Sequence, residues 1–184
     1  MKLHSNETAE LHKEIAETYK TRLNHLENED DAGEDEEKEE PFERSFLHNA
    51  IYLHALWFDQ LAGTKEVTES PLLEEILERR ESNLDTFMRW MNGFAKDARP
   101  HGWAIWGWSE ALNTFVGFPI KSHDDKVPLG VQPILVIDVW EHSYIADFGT
   151  DIDAYLDKFW KELNWDVIEQ RHHGLATKLG YEIK

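Results

Sequence analysis

Three observations predict an α+β fold, with an N-terminal antiparallel α-hairpin followed by a C-terminal lobe of a three-stranded antiparallel sheet and helices. Apolar residues recur at helical spacing in two long stretches on either side of an acidic run. At Pro100 the texture changes to short aromatic and β-branched stretches. A continuous apolar run, Ile134 to Ile137, then leads directly into Asp138-Val139-Trp140-Glu141-His142. Helices first, then a small sheet with helices behind it, is α+β organisation. The 184 residues suit one domain or two small lobes sharing a core, divided here as 1–68 and 69–184.

Leu11, Ile15, Tyr19, Leu23 and Leu26 place an amphipathic helix over roughly residues 5 to 28, with no clean capping box at Thr8 to fix its start. The block from Glu27 to Glu40 is dominated by like charge, buries nothing and reads as a solvated connection. It is either an acidic loop without chemistry or a calcium or protein-docking site, and it lacks the ligand spacing of an EF-hand. A second helix runs from about Phe42 to Leu61, with Leu47, Ile51, His54, Phe58 and Leu61 on one face and Gly63 as its C-cap. Ser70-Pro71 opens another helix, whose Leu72, Leu73, Ile76 and Leu77 face a core. A further helical pattern passes through Leu84, Phe87, Met88, Met91 and Phe94. Trp103 to Trp108, Thr114 to Phe118 and Val131 to Val139 are three strands, the first two separated by Asn113 and turn-like residues. Tyr155, Phe159, Trp160 and Leu163, then Trp165 and Ile168, mark closing helices.

Composition narrows the function classes. Apolar residues make up 41%, and eight Trp with nine Phe supply enough large buried area for a globular core. A formal net charge of −18 argues against a nucleic-acid partner. Zero cysteines removes disulfides, thiolate catalysis, iron–sulfur clusters and zinc–thiolate sites, so any metal must be held by His, Asp or Glu. No basic start precedes an apolar h-region, and no apolar run is long enough to span a membrane. A cytoplasmic protein without membrane partners is expected; a precursor already freed of its signal would read the same. Searches for a nucleophile elbow, a P-loop or a dinucleotide fingerprint find nothing.

Asp138 sits where a buried strand runs out, and a buried carboxylate is expensive unless paired or coordinated. A metal is the economical partner, with oxygen from Asp138 and nitrogen from His142. The stretch Asp138-Val139-Trp140-Glu141-His142 closely resembles the metal-binding signature of the iron/manganese superoxide dismutase family. Fe or Mn takes about four donors and favours imidazole with carboxylate. By the resemblance His54, ahead of Trp57 and Phe58, is a third ligand; as a lone His on an apolar face it also reads as a satisfied core histidine. His12, after Ser5-Asn6-Glu7-Thr8, resembles the first-helix ligand, and Tyr19 the tyrosine at the substrate entrance. Its seven-residue step from His12 is one shorter than the family's, and on a regular helix it keeps both groups on one face. His123 stands where many manganese members carry Gln and some relatives carry His, implying a partner for metal-bound water. The other reading is a surface histidine, and as the water partner its own titration would set a pH window of activity.

The implied function is superoxide dismutation at one Fe or Mn ion per chain, in a homodimer that Glu141 and His142 join across subunits. Val136, in place of a small glycine, favours iron or a site usable with either metal. Trp103, Trp106 and Trp140 would wall the site, and Lys121 and Lys126 are candidates for attracting an anion against the net charge. His4 is set aside as too near the terminus, and His25, His48, His101, His172 and His173 as surface or packing residues. The entrance departs from the family pattern. No second His lies between His12 and Tyr19, and Ile145 replaces a tyrosine, so both halves of one cross-subunit hydrogen bond are missing. A different Fe or Mn oxidase with the same ligands, or a non-catalytic structural subunit or interaction module reusing the fold, are the competing readings.

Overall fold

A computed structural model describes residues 3–29, 41–61, 83–125 and 127–179. The expected helix over Ser70 to Leu77, the Gly63 cap, Lys126, the division at residue 68 and most of the acidic block lie outside the described residues. The chain there runs α1 (Asn6–Glu29), α2 (Pro41–Gln60), α3 (Leu84–Ala98), β1 (Trp103–Ser109), β2 (Thr114–Ile120), β3 (Val131–Asp138), α4 (Glu141–Phe148), α5 (Ile152–Glu162) and α6 (Trp165–Leu179). This is the α+β order read from the sequence, with one addition. α4 was not expected, because of its eight residues only Ser143 and Tyr144 are buried and no 3.6-residue apolar period exists. Its one clear sequence signal is Gly149, the C-cap at φ 59°, whose N–H bonds the Ile145 carbonyl.

β1 is the central strand of the order β2-β1-β3, antiparallel to both neighbours. Every β1 residue is buried, so the strand shows no alternation of polar and apolar positions. Trp103 pairs with Ile120 on one side and Asp138 on the other, which puts Asp138 at the end of the sheet. The register with β3 shifts at Trp106/Gly107, where a Cβ on Gly107 would meet the Gln132 carbonyl oxygen at 2.3 Å. Asn113 turns β1 into β2 with φ 50°, a left-handed conformation Asn tolerates. α3 packs on β1 and β2, and α2 and α6 pack on β3. α3 is capped by Asn83, whose side chain accepts from Thr86 N–H.

One apolar core gathers Trp57, Phe87, Trp103, Trp106, Tyr155 and Phe159 among others. The hairpin has its own small cluster, Leu23, Leu26 and Leu47, flanked by Tyr19, Phe46 and Ile51. Its buried stripe on α1 differs from the expected one. Leu11 is 47% exposed, and the buried positions are Thr8, His12, Ala16, Leu23 and Leu26. The helix is turned so that a polar residue, His12, faces inward. Ser5, overlooked beside Thr8, caps its start by accepting from the Thr8 N–H at 3.2 Å.

Candidate metal centre

Four elements converge at the end of the sheet. β3 ends in Asp138, α1 and α2 face it with His12 and His54, and the first turn of α4 returns His142. One donor atom from each of these four lies within 4.8 Å of every other. Asp138 Oδ2 is the hub, 3.0 Å from His12 Nε2, 3.6 Å from His142 Nε2 and 3.9 Å from His54 Nε2. His12, His54 and Asp138 are buried to 1% exposure or less, while the His142 side chain keeps 16%.

Asp138 is fixed by its backbone as much as by its side chain. Tyr155 OH donates to its carbonyl at 2.7 Å, the Ser143 hydroxyl at 3.3 Å, and Trp140 N–H donates to Oδ1 at 2.9 Å. Oδ2 alone of its side-chain oxygens is left without a hydrogen bond. Burial pushes this carboxyl upward, but the His12 and His142 contacts outweigh it and hold it well below the usual carboxylate range. His54 Nδ1 lies 2.7 Å from the Ala50 carbonyl. A carbonyl only accepts, so Nδ1 carries the proton and Nε2 offers its lone pair toward Asp138. Burial lowers the His54 pKa to about 4, so it stays neutral near pH 7.

The Nε2 atoms of His12, His54 and His142 and the Oδ2 of Asp138 are all buried without a hydrogen-bond partner. Buried polar atoms are rarely left so, and these four together could hold a cation. Three imidazole nitrogens and one carboxylate oxygen form a donor set suited to Fe or Mn. Two donors at about 2.1 Å from one ion lie up to ~4.2 Å apart, a span that contains the three separations around Oδ2. The residues fit the group.

His123, between β2 and β3, is fully buried rather than on the surface. Its ring stacks on Trp140 at 4.9 Å and lies 5.5 Å from Tyr19 and 5.7 Å from His54. Asn49 Nδ2 holds its carbonyl, and both its ring nitrogens lack partners. Burial, helped by nearby His54, lowers its pKa to about 3, which moves any titration of this group far below neutral pH. Tyr19 is partly buried 5.5 Å from His54; burial and the Asp138 charge raise its pKa, so its hydroxyl stays protonated.

Trp103 meets His54 at 5.1 Å and Trp140 lies 6.0 Å from His142, as expected of walls. Trp106 instead packs on Phe87 and Phe115. Three residues along a strand is an odd step, so Trp106 faces away from the side Trp103 faces. Sequence reasoning also missed His4, which is buried against His12 at 5.8 Å between ring centroids. Lys121, Glu141 and Ile145 are exposed, and His172 packs against Phe115.

The family model described as "Iron/manganese superoxide dismutases, C-terminal domain" matches residues 69–171. The chain is similar to "Superoxide dismutase [Fe]" of Aquifex aeolicus, 31% identical over 74% of this chain and 63% of that protein. It is 26% identical to "Superoxide dismutase [Mn/Fe]" of Aeropyrum pernix, over 69% of this chain and 60% of that one. With "Superoxide dismutase [Mn] 1" of Halobacterium salinarum it shares 29% over 68% and 62%. The chain therefore spans about three fifths of the length of these relatives.

Proposed function

The chain belongs to the iron/manganese superoxide dismutase family, and from that premise we propose that it dismutates superoxide at a single Fe or Mn ion held by His12, His54, Asp138 and His142. The observation that carries the reading is the convergence of four buried, unpartnered donor atoms on one point. A structural subunit would retain these groups at the cost of desolvation with nothing in return.

Two superoxide anions and two protons yield one dioxygen and one hydrogen peroxide. An Fe or Mn ion held by His12, His54, Asp138 and His142 would supply the reversible one-electron exchange that the two halves of this reaction need. The chain does the rest. A cation held by the Asp138 carboxylate and the imidazoles of His12, His54 and His142 would meet a single negative charge, since a ligating imidazole is neutral, which would limit the electrostatic cost of both oxidation states. His54 is held in the correct tautomer by the Ala50 carbonyl. Trp103 and Trp140 exclude water around the cluster. Tyr19, 5.5 Å from the His54 ring, keeps a proton on its hydroxyl that would be available to a developing peroxide. His123, neutral and with both nitrogens unpaired, is the hydrogen-bond partner for a solvent molecule at the centre. Val136 supports iron, or use of either metal. Lys121 is a candidate for drawing the anion inward despite the net charge of −18.

We also read the working form as a twofold dimer in the cytoplasm, joined through Glu141 and His142. Exposed Glu141 beside the partly open His142 supports the first part. The lack of cysteine, and of any described helix long and apolar enough to cross a membrane, is compatible with the second. The test is to load the metal-free chain with Fe(II) or Mn(II) and follow superoxide decay. Activity appearing with one ion per chain is the expected result; a loaded chain that leaves superoxide decay at the spontaneous rate contradicts it.

A further inference from the structure

We propose that His4 is a positioning residue for the metal centre, a brace that fixes the first turn of α4, with His142, against the start of α1, with His12. The inference rests on the metal-centre reading above. His4 is buried, and its Nε2 lies 2.7 Å from the carbonyl oxygen of Ser143, 139 residues along the chain. The carbonyl only accepts, so Nε2 carries the proton and donates. Ser143 directly follows His142, and its hydroxyl contacts both Tyr155 OH and the Asp138 carbonyl. One hydrogen bond thus ties the N-terminal segment to the network that holds Asp138 and His142.

On its other side His4 meets His12. The two rings are edge-on with centroids 5.8 Å apart, and His4 also rests on Trp57 at 6.3 Å and Tyr155 at 6.4 Å. Neither ring nitrogen of His12 has a hydrogen-bond partner. Its orientation is therefore set by the rings packed around it, including Phe58 at 5.0 Å and His4. His4 is itself pinned to α4, so it transmits the position of α4 to the His12 ring. Next to it, Ser5 N–H donates to Asp147 Oδ2 at 2.8 Å, a second, exposed clasp between the same two elements. An apolar side chain would fill the site of His4 without burying an imidazole. The hydrogen bond across to the ligand-bearing turn is what the imidazole adds.

Two variants separate a brace from plain packing. His4→Phe keeps a ring and loses the donor, while His4→Gln keeps an N–H donor of similar reach. The readouts are the dissociation constant for Mn(II), measured by chelator competition, and the melting temperature of the metal-free chain. His4→Phe is expected to weaken Mn(II) binding about 10–100-fold, the usual effect of losing a group behind a ligand. His4→Gln should restore most of that loss, with metal-free melting close to wild type in both. Wild-type Mn(II) affinity in His4→Phe overturns the brace. So does equal loss in both variants in step with a lower metal-free melting temperature, since that is packing alone. A wild-type chain that binds neither Mn(II) nor Fe(II) overturns the metal centre and the brace together.

Discussion

Asp138 and His12 face each other across 3.0 Å, yet the two halves of the molecule hold them in different ways. On the sheet side, Asp138 is locked by Tyr155, Ser143 and the Trp140 N–H, and it stands over the large aromatic core. On the hairpin side, the His12 ring makes no hydrogen bond, and among the described residues the hairpin beyond it packs around three leucines flanked by Tyr19, Phe46 and Ile51. His54 lies between the extremes, anchored once to the helix it rides on. The sheet half positions by hydrogen bonds, which are directional; the hairpin half positions by packing, which depends on everything around it staying put. The lesson is that half of the proposed centre is preorganised by its own strand and the other half is only as exact as the docking of two helices.

The largest test of that contrast removes core volume from each half. Phe159 stacks on Trp57 at 5.3 Å in the main core, and Phe159→Ala should cost about 3–5 kcal/mol by denaturant unfolding. Leu47→Ala in the hairpin cluster should cost about 2 kcal/mol, at the low end for such truncations, because that cluster can relax. Equal losses would erase the asymmetry.

Acid sharpens it next. His4 and His54 have pKa values lowered to about 4, and His123 to about 3, mainly by burial, against 6.5 in the unfolded chain. Below pH 6.5 the unfolded chain binds protons the folded chain refuses, so folding stability falls with pH through this window. Above about pH 6.5 that loss is absent. Between pH 7.5 and 5 the metal-free protein should lose about 2 kcal/mol for each ring that keeps its lowered pKa, read as a lower denaturant midpoint at pH 5. An unchanged midpoint would mean that these rings are solvated.

Smaller effects follow. Tyr155→Phe removes one of the donors to the Asp138 carbonyl and should cost about 1–2 kcal/mol, with weaker metal binding, since Ser143 remains. Arg22 bonds Glu43 at 2.7 Å across the hairpin surface, and Arg22→Ala should cost no more than about 1 kcal/mol, less at high salt. A larger loss would show that surface charge, not packing, docks the hairpin.

The same contrast governs what the sequence revealed. The sheet half was legible because its signals are local. An apolar run ending in Asp138 and a His four residues on lie within one strand and one turn. The hairpin half was read less well because its register is decided by tertiary packing. Hydrophobicity chose Leu11 for the inward stripe, while the structure buries His12 and Thr8 and exposes Leu11. His12 and Tyr19 were identified through resemblance rather than pattern. α4 escaped notice because a one-sided helix of eight residues has no room for a period. Trp106 was assigned to the site although strand alternation turns it away from Trp103. His4 was dismissed for its place near the terminus, and no local signal shows that residue 4 meets residue 143; that contact exists only in the folded chain.

The proposed centre is tested most directly by elemental analysis of wild type and Asp138→Ala, each purified with and without Fe(II) or Mn(II) loading and assayed for superoxide removal. The expected result is about one Fe or Mn per wild-type chain with activity, and loss of both in a folded Asp138→Ala protein. Equal metal content in the two proteins, or a folded wild type that stays metal-free and inert after loading, would contradict the assignment of the four residues as a metal centre.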